Sequence, residues 1–276
     1  MLPKLGFSLQ KEYGRPWEDV IRLLHDVGFS AVSPIFCPEA DLQEIDRCVR
    51  RYGMTIQSLH APNRVAPLWE EEGSADTLEK MLACIDTCAA YQIPIMVLHS
   101  WNGLLYTFPG EPLYYNNFDR IVDYAQQRDI SIAFENLEGE EYLAALMARY
   151  ADRPHVGFCW DSGHEHCYPH KLDFLKLFGD RLIMTHLNDN LGPRIDDGVG
   201  HGEDDLHYLP WDGNIDWEKN LQRLYAAKEQ KILNFELKIR SNSDDPKDLI
   251  YVDLPLEEFL QQAAARAIRL AEEIKR

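Results

Sequence analysis

Short apolar runs rich in β-branched and aromatic residues recur along the chain, separated by longer segments whose apolar positions return at helical spacing. The runs predict eight strands: Lys4–Ser8, Ser30–Ser33, Thr55–Leu59, Ile95–His99, Ser131–Phe134, His155–Trp160, Leu182–Leu187 and Ile232–Glu236. The segments after them predict eight helices: Trp17–Val27, Leu42–Tyr52, Ala75–Tyr91, Phe118–Arg128, Glu140–Tyr150, Leu172–Phe178, Trp217–Ala227 and Leu256–Lys275. Strand and helix in strict alternation imply parallel strands with helical crossovers, and eight such units make a closed (β/α)8 TIM barrel the economical α/β architecture. An open doubly wound sheet fits less well, because Gly6 and Gly14 stand too far apart to form a phosphate-binding glycine loop after the first strand.

A chain of 276 residues suits one such barrel, and residues 1–276 are expected to form a single TIM-barrel domain. Two connections are long, Asn188 to Asn214 after the seventh strand and Ile239 to about Asp253 after the eighth. Both belong to the C-terminal mouth, where barrel enzymes keep their active sites.

What changes the picture is where the polar residues fall. One strand after another ends on a residue that can hold a metal: His60, His99, Glu135, Asp161, His186 and Glu236. One such residue alone is more often a turn former or a satisfied core group. In a closed barrel, however, the strand ends converge on one axis, so these acids and imidazoles crowd together with their charge unmet, and a cation resolves the conflict. Carboxylates and imidazoles without thiolates suit one divalent ion, Mn, Zn, Co or Mg.

Lys and Arg number 28 against 46 Asp and Glu, a formal charge of -18 that repels phosphate backbones and anionic membrane surfaces. Neither nucleic acid nor membrane is therefore an expected partner. Met1 to Gln10 lacks the basic and apolar regions of a secretory signal, and no apolar run is long enough to span a bilayer, so a cytoplasmic location is expected. The six cysteines show no close-spaced pairing framework and are read as reduced thiols, mostly in the core. A homo-oligomer is compatible with the sequence.

The motifs SLHAP ending at Pro62, VLHS at Ser100, AFEN at Asn136, GFCWDSGH at His164, THLNDN at Asn190 and DLHYLPWDGNIDW at Trp217 together resemble the xylose isomerase-like barrel superfamily. Within it they resemble the sugar-phosphate isomerase/epimerase group and its relatives, the metal-dependent apurinic endonucleases. The resemblance covers essentially the whole chain. It implies that Glu135, Asp161, His186 and Glu236 hold one metal, and that Glu135 and Glu236 exchange a proton alpha to the carbonyl of a small carbohydrate through a metal-stabilised enediolate. It also implies a substrate-binding role for His164.

Around that set, His60, His99, Asp205, His207, Lys238 and Trp101 are candidates for substrate contact, with Trp69, Tyr106, Phe108 and Trp211 as further rings able to stack on a sugar. Two other chemistries share the pattern. Dehydratases of the inosose type take the same first step and then expel hydroxide. The endonucleases carry three metals on nine ligands, which here correspond to the four above with His60, His99, His164, Asp205 and His207. Asn63 stands where those enzymes place an aromatic that enters DNA, which with the charge favours the sugar enzyme. A non-catalytic, ligand-sensing barrel is opposed by the intact Glu135 and Glu236.

Overall fold

Every apolar run identified in the sequence lies on a strand of the computed structural model, which describes residues 2–10, 13–104, 106–195 and 197–274. The strands are β1 (Lys4–Leu9), β2 (Ala31–Pro34), β3 (Thr55–Ile56), β4 (Leu59–His60), β5 (Ile95–His99), β6 (Ser131–Glu135), β7 (Val156–Asp161), β8 (Leu182–His186) and β9 (Ile232–Phe235). All pair in parallel, in two arcs ordered β3-β2-β1-β9 and β4-β5-β6-β7-β8. Single parallel bridges join the arcs, Ile35 to His60 at one seam and Leu187 to Phe235 at the other. The expected third strand is thus broken at Gln57–Ser58, its halves β3 and β4 falling in different arcs.

Helices α1 (Trp17–Asp26), α2 (Glu39–Arg51), α3 (Ala75–Tyr91), α4 (Asn116–Gln127) and α5 (Glu140–Arg149) follow the strands as the periodicity predicts. After β7 the chain makes two helices where one was expected. The expected Leu172–Phe178 shortens to α7 (Phe174–Phe178), and it is preceded by α6 (Ser162–Cys167), which starts directly on the strand end. Helices α8 (Trp217–Ala226) and α9 (Leu256–Glu273) complete the ring; the expected end of the last helix at Lys275 lies outside the described residues. No described helix is long and apolar enough to cross a membrane.

Strand side chains alternate between two faces. Leu98, Ile132, Phe134, Phe158 and Trp160 pack outward with the helices' apolar stripes, such as Phe259, Leu260 and Ala263 of α9, in one large buried cluster. The intervening positions Val97, Ala133, Cys159 and Met184 form a separate buried cluster inside the barrel. Two residues further along each of these strands, on the same face, stand His99, Glu135, Asp161 and His186. Period-two geometry therefore delivers four polar side chains to one mouth above an apolar floor. The opposite arc has a polar interior, where Asn234 donates to Ser8 Oγ at 2.8 Å. Gly6 leaves room for it, since a Cβ there would meet the side-chain oxygens of Asn234 and Gln57 at 2.9 Å each.

None of the six cysteines forms a disulfide, and all but Cys37 are buried. The long loop after β8 is ordered by polar contacts rather than by regular structure. Asp189 pairs with Tyr208 through backbone hydrogen bonds of 2.9 and 2.7 Å, and its buried carboxylate accepts from Asn190 N, Trp211 N, Ile215 N and Trp217 Nε1 at 2.8–3.1 Å. Arg194 joins this loop to the one after β9 by binding Asp204 at 2.5 Å and Asp248 at 2.6 Å. Asp189→Asn sets an NH2 group against two N–H donors. It is expected to lower stability by about 2 kcal/mol, read from the urea midpoint at unchanged m-value.

Candidate metal and active site

Glu135, Asp161, His186 and Glu236 end or follow consecutive strands β6 to β9, and a ligand atom of each lies within 4.8 Å of the others. All four are at least nine-tenths buried. His186 Nδ1 stands 2.8 Å from Glu135 Oε1 and 3.0 Å from Glu236 Oε2. One ring nitrogen can offer one proton, so it cannot satisfy both carboxylates. The donor set therefore suits a cation: three carboxylates and an imidazole around a shared point, with more negative charge than their own hydrogen bonds neutralise.

The electrostatics agree. Burial pushes Asp161 up to about 6, and the neighbouring Glu135 and Glu236 charges add to it. Burial acts on Glu135 in the same direction, but the attraction of His186 and hydrogen bonds from His164, His186 and His60 hold its carboxyl well below the usual range. Glu236 is likewise held low by His186 against its burial. Burial lowers the affinity of His186 for a proton, yet Cys159, Glu135 and Glu236 raise it well above that of an ordinary histidine.

Three residues that the sequence reading did not single out position Asp161. Its backbone N–H donates to Asn136 Oδ1 at 2.8 Å, and its backbone oxygen accepts from Asn136 Nδ2 at 2.8 Å. Asn188 Nδ2 donates to both carboxylate oxygens at 3.1 and 2.9 Å. Ser162 Oγ in turn donates to Asn188 O at 2.7 Å. Asp161 also caps α6 by accepting from His164 N at 2.7 Å. The Asp-Ser-Gly-His stretch was itself the cue for that cap, an aspartate followed three residues on by the N–H it accepts. Asn136 and Asn188 sit inside the quoted motifs, but nothing in a linear sequence shows an amide turning back on a neighbouring strand.

The surrounding candidates divide into two groups. His60 and His99 approach Glu135 Oε2 at 3.1 and 3.4 Å. His164, Asp205 and His207 form a second cluster able to hold an ion, with His207 Nε2 2.9 Å and His164 Nε2 3.6 Å from Asp205 Oδ2. Asp205 Oδ1 is buried with no partner among the described residues. Its carboxyl is held well below normal by His207 and His164 despite burial. His207 adopts φ 53°, a backbone conformation that costs a non-glycine residue about 1 kcal/mol or more and that directs its ring toward the cluster.

Lys238 borders the same cavity but is tied to Asn242 Oδ1 at 2.9 Å. Trp101 departs from expectation. Its ring lies flat on Tyr142 at 4.3 Å and its Nε1 donates to Gly103 O, so it fixes a loop instead of facing the cavity. Trp69 is buried against Phe118 and Tyr142, and Trp211 packs on Trp217 under Arg269, so neither reaches the mouth. In all three, ring packing took precedence over sugar stacking.

The mouth encloses a cavity of about 440 Å³ bordered by His60, His99, His164, Asp205, His207 and Glu236. An uncharacterised protein of Sinorhizobium fredii, y4fM, is 30% identical, over 91% of this chain and 87% of its own. A xylose isomerase domain containing protein from Salmonella typhimurium superposes with a TM-score of 0.72 at 16% identity, covering 99% of each chain. The D-psicose 3-epimerase from Clostridium cellulolyticum, solved with D-tagatose, superposes at 0.68 with 11% identity over 98% of this chain and 99% of that one. The family model described as xylose isomerase-like TIM barrel matches residues 21–263, and the chain belongs to that family.

Proposed function

We propose that the chain is a divalent-metal-dependent isomerase or epimerase of a carbohydrate bearing a carbonyl group, with Glu135 and Glu236 moving the proton on the adjacent carbon. The observation that carries this reading is the meeting of two buried carboxylates, from β6 and from the end of β9, at one nitrogen of His186. The structural likeness to a sugar epimerase supports it. Glu135, Asp161, His186 and Glu236 would hold the ion. Bound there, it supplies positive charge beside the substrate's oxygens, where the negative charge of the enediolate develops.

The rest is done by the chain. One glutamate takes the proton as general base. In an epimerase the other returns it on the opposite face; in an isomerase it goes back to the neighbouring carbon. The imidazole of His164 borders the cavity, where its Nε2 would donate to a substrate hydroxyl, while His60, held by Ala61 O and Glu135 Oε2, orients the glutamate. Arg194 is engaged by Asp204 and Asp248, and Lys238 by Asn242, which weighs against a phosphorylated substrate. The test is metal-dependent incorporation of deuterium from D2O into ketoses, ketose phosphates and inososes. Incorporation into at least one is expected, and none in any would overturn the proposal.

A second reading rests on the His164, Asp205 and His207 cluster: two or three metals and phosphodiester cleavage. The charge of -18 opposes it. Elemental analysis of purified protein is expected to give one tight metal per chain; a value near three, with nicking of abasic DNA, would favour the hydrolase.

A further inference from the structure

Beside the mouth cavity lies a second, larger one of about 850 Å³, and the two share Leu104 and Glu138 as a common wall. The first has the size of a site for a single sugar. The second is large enough for a further group of similar or greater bulk. Its lining has two features that a substrate, rather than packing, would explain.

Glu138 is the first. It is only 7% exposed, three residues past Glu135, and one carboxylate oxygen accepts from Gly103 N at 2.7 Å. Its other oxygen is buried without a hydrogen-bond partner among the described residues. A buried carboxylate oxygen left bare is costly, and a hydroxyl donor at the junction of the two cavities would satisfy it.

The second is the apolar wall. Leu104 is 38% exposed. Half-buried Tyr106 and Phe108 border the groove while packing on Tyr142 behind them at 5.8 and 5.0 Å. These rings are already anchored, so a ligand laid against them pays little to order them.

Charge decides what kind of group fits. Among the described residues, Glu138, Glu140 and Glu141 border the groove against a single cationic side chain, Lys171. Glu140 Oε2 accepts from the backbone of Lys171 and Leu172 at 2.8 and 2.9 Å, and Glu141 from Tyr106 OH at 2.7 Å. A phosphate or carboxylate would be repelled there; an uncharged ring with hydroxyl donors would not.

We infer that the substrate is an uncharged glycoside, a carbonyl-bearing sugar in the metal cavity whose aglycone or second sugar lies in the Tyr106–Phe108 groove, with Glu138 accepting a hydroxyl at the junction. This rests on the function proposed above and names its substrate class. Two measurements test it. Deuterium exchange is compared between a phenyl keto-glucoside and the free keto-glucose, and binding of phenyl glucoside and glucose to the metal-loaded protein is compared by calorimetry.

The glycoside is expected to lead by roughly tenfold or more in kcat/KM and in affinity, from the ring face it buries. Thr107→Trp, an exposed position that fills the groove, and Phe108→Ala, which removes its wall, should each collapse that ratio. Equal handling of both compounds, or a ratio unmoved by Thr107→Trp, would overturn the inference and leave the proton-transfer function standing. Absence of exchange on both compounds strikes the proposed function instead, and the calorimetric ratio then decides the glycoside inference by itself.

Discussion

Glu135→Gln is expected to lower exchange of the substrate's α-proton with solvent by about a thousandfold or more, within the range over which general bases act. Gln keeps the shape of the side chain, so the effect is chemical. Glu135 Oε1 faces His186 and His164 at 2.8 and 3.4 Å, and Oε2 faces His60 and His99 at 3.1 and 3.4 Å. Three of these imidazoles, His186, His164 and His60, hold the carboxylate ionised, which keeps a base available at neutral pH. Removing its charge also removes an anionic metal ligand, so rates must be compared at saturating metal with the bound metal measured separately.

Glu236→Gln separates the two glutamates' roles. If they act on opposite faces, each variant loses product formation while retaining some exchange on one epimer. If one glutamate serves both steps, only its variant is inactive. Full exchange in both variants, with metal bound and the fold intact by circular dichroism, would dismiss the proton-transfer assignment.

Why so much of this was legible in the sequence follows from period-two geometry. A parallel strand buried on both faces reads as a short apolar run, and a polar residue at its C-terminal end breaks that run visibly. That is why β5 to β9 and their terminal His99, Glu135, Asp161, His186 and Glu236 stood out. What stayed hidden depends on side-chain direction across the chain. Nothing local tells that Trp101 lies on Tyr142, that Trp69 turns into the core, or that Arg194 is spent on Asp204 and Asp248. The break at Gln57–Ser58 was missed because Thr55 to His60 has a continuous strand pattern, and only the seam between two arcs divides it. Helix α6 was missed because six residues are too few for a helical period to register. Glu138 carries no signal in the sequence that sets it apart, because the burial of its second oxygen depends on the fold around it.

Gly163→Ala is expected to weaken metal binding by about 100-fold, the upper range for loss of a group that orients a metal ligand, although residue 163 touches none of the proposed ligands' side chains. In a helix interior alanine is ordinarily favoured over glycine, so propensity predicts a small gain. Packing overrides it. A Cβ on Gly163 would lie 1.9 Å from Asn188 Oδ1, 2.8 Å from its Cγ and 3.1 Å from Asn190 Nδ2. The Asn188 amide cannot swing aside freely, because its Nδ2 holds both oxygens of Asp161. Relief of the clash therefore frees a buried carboxylate, at a stability cost of about 3 kcal/mol for overpacking with a lost polar contact. Removing the obstruction distinguishes this route from general damage. In the Asn188→Ala background the added methyl has space, so Gly163→Ala should cost little more in metal affinity or stability than Asn188→Ala alone. Additive losses in the double variant would show that Gly163 acts through some contact other than Asn188.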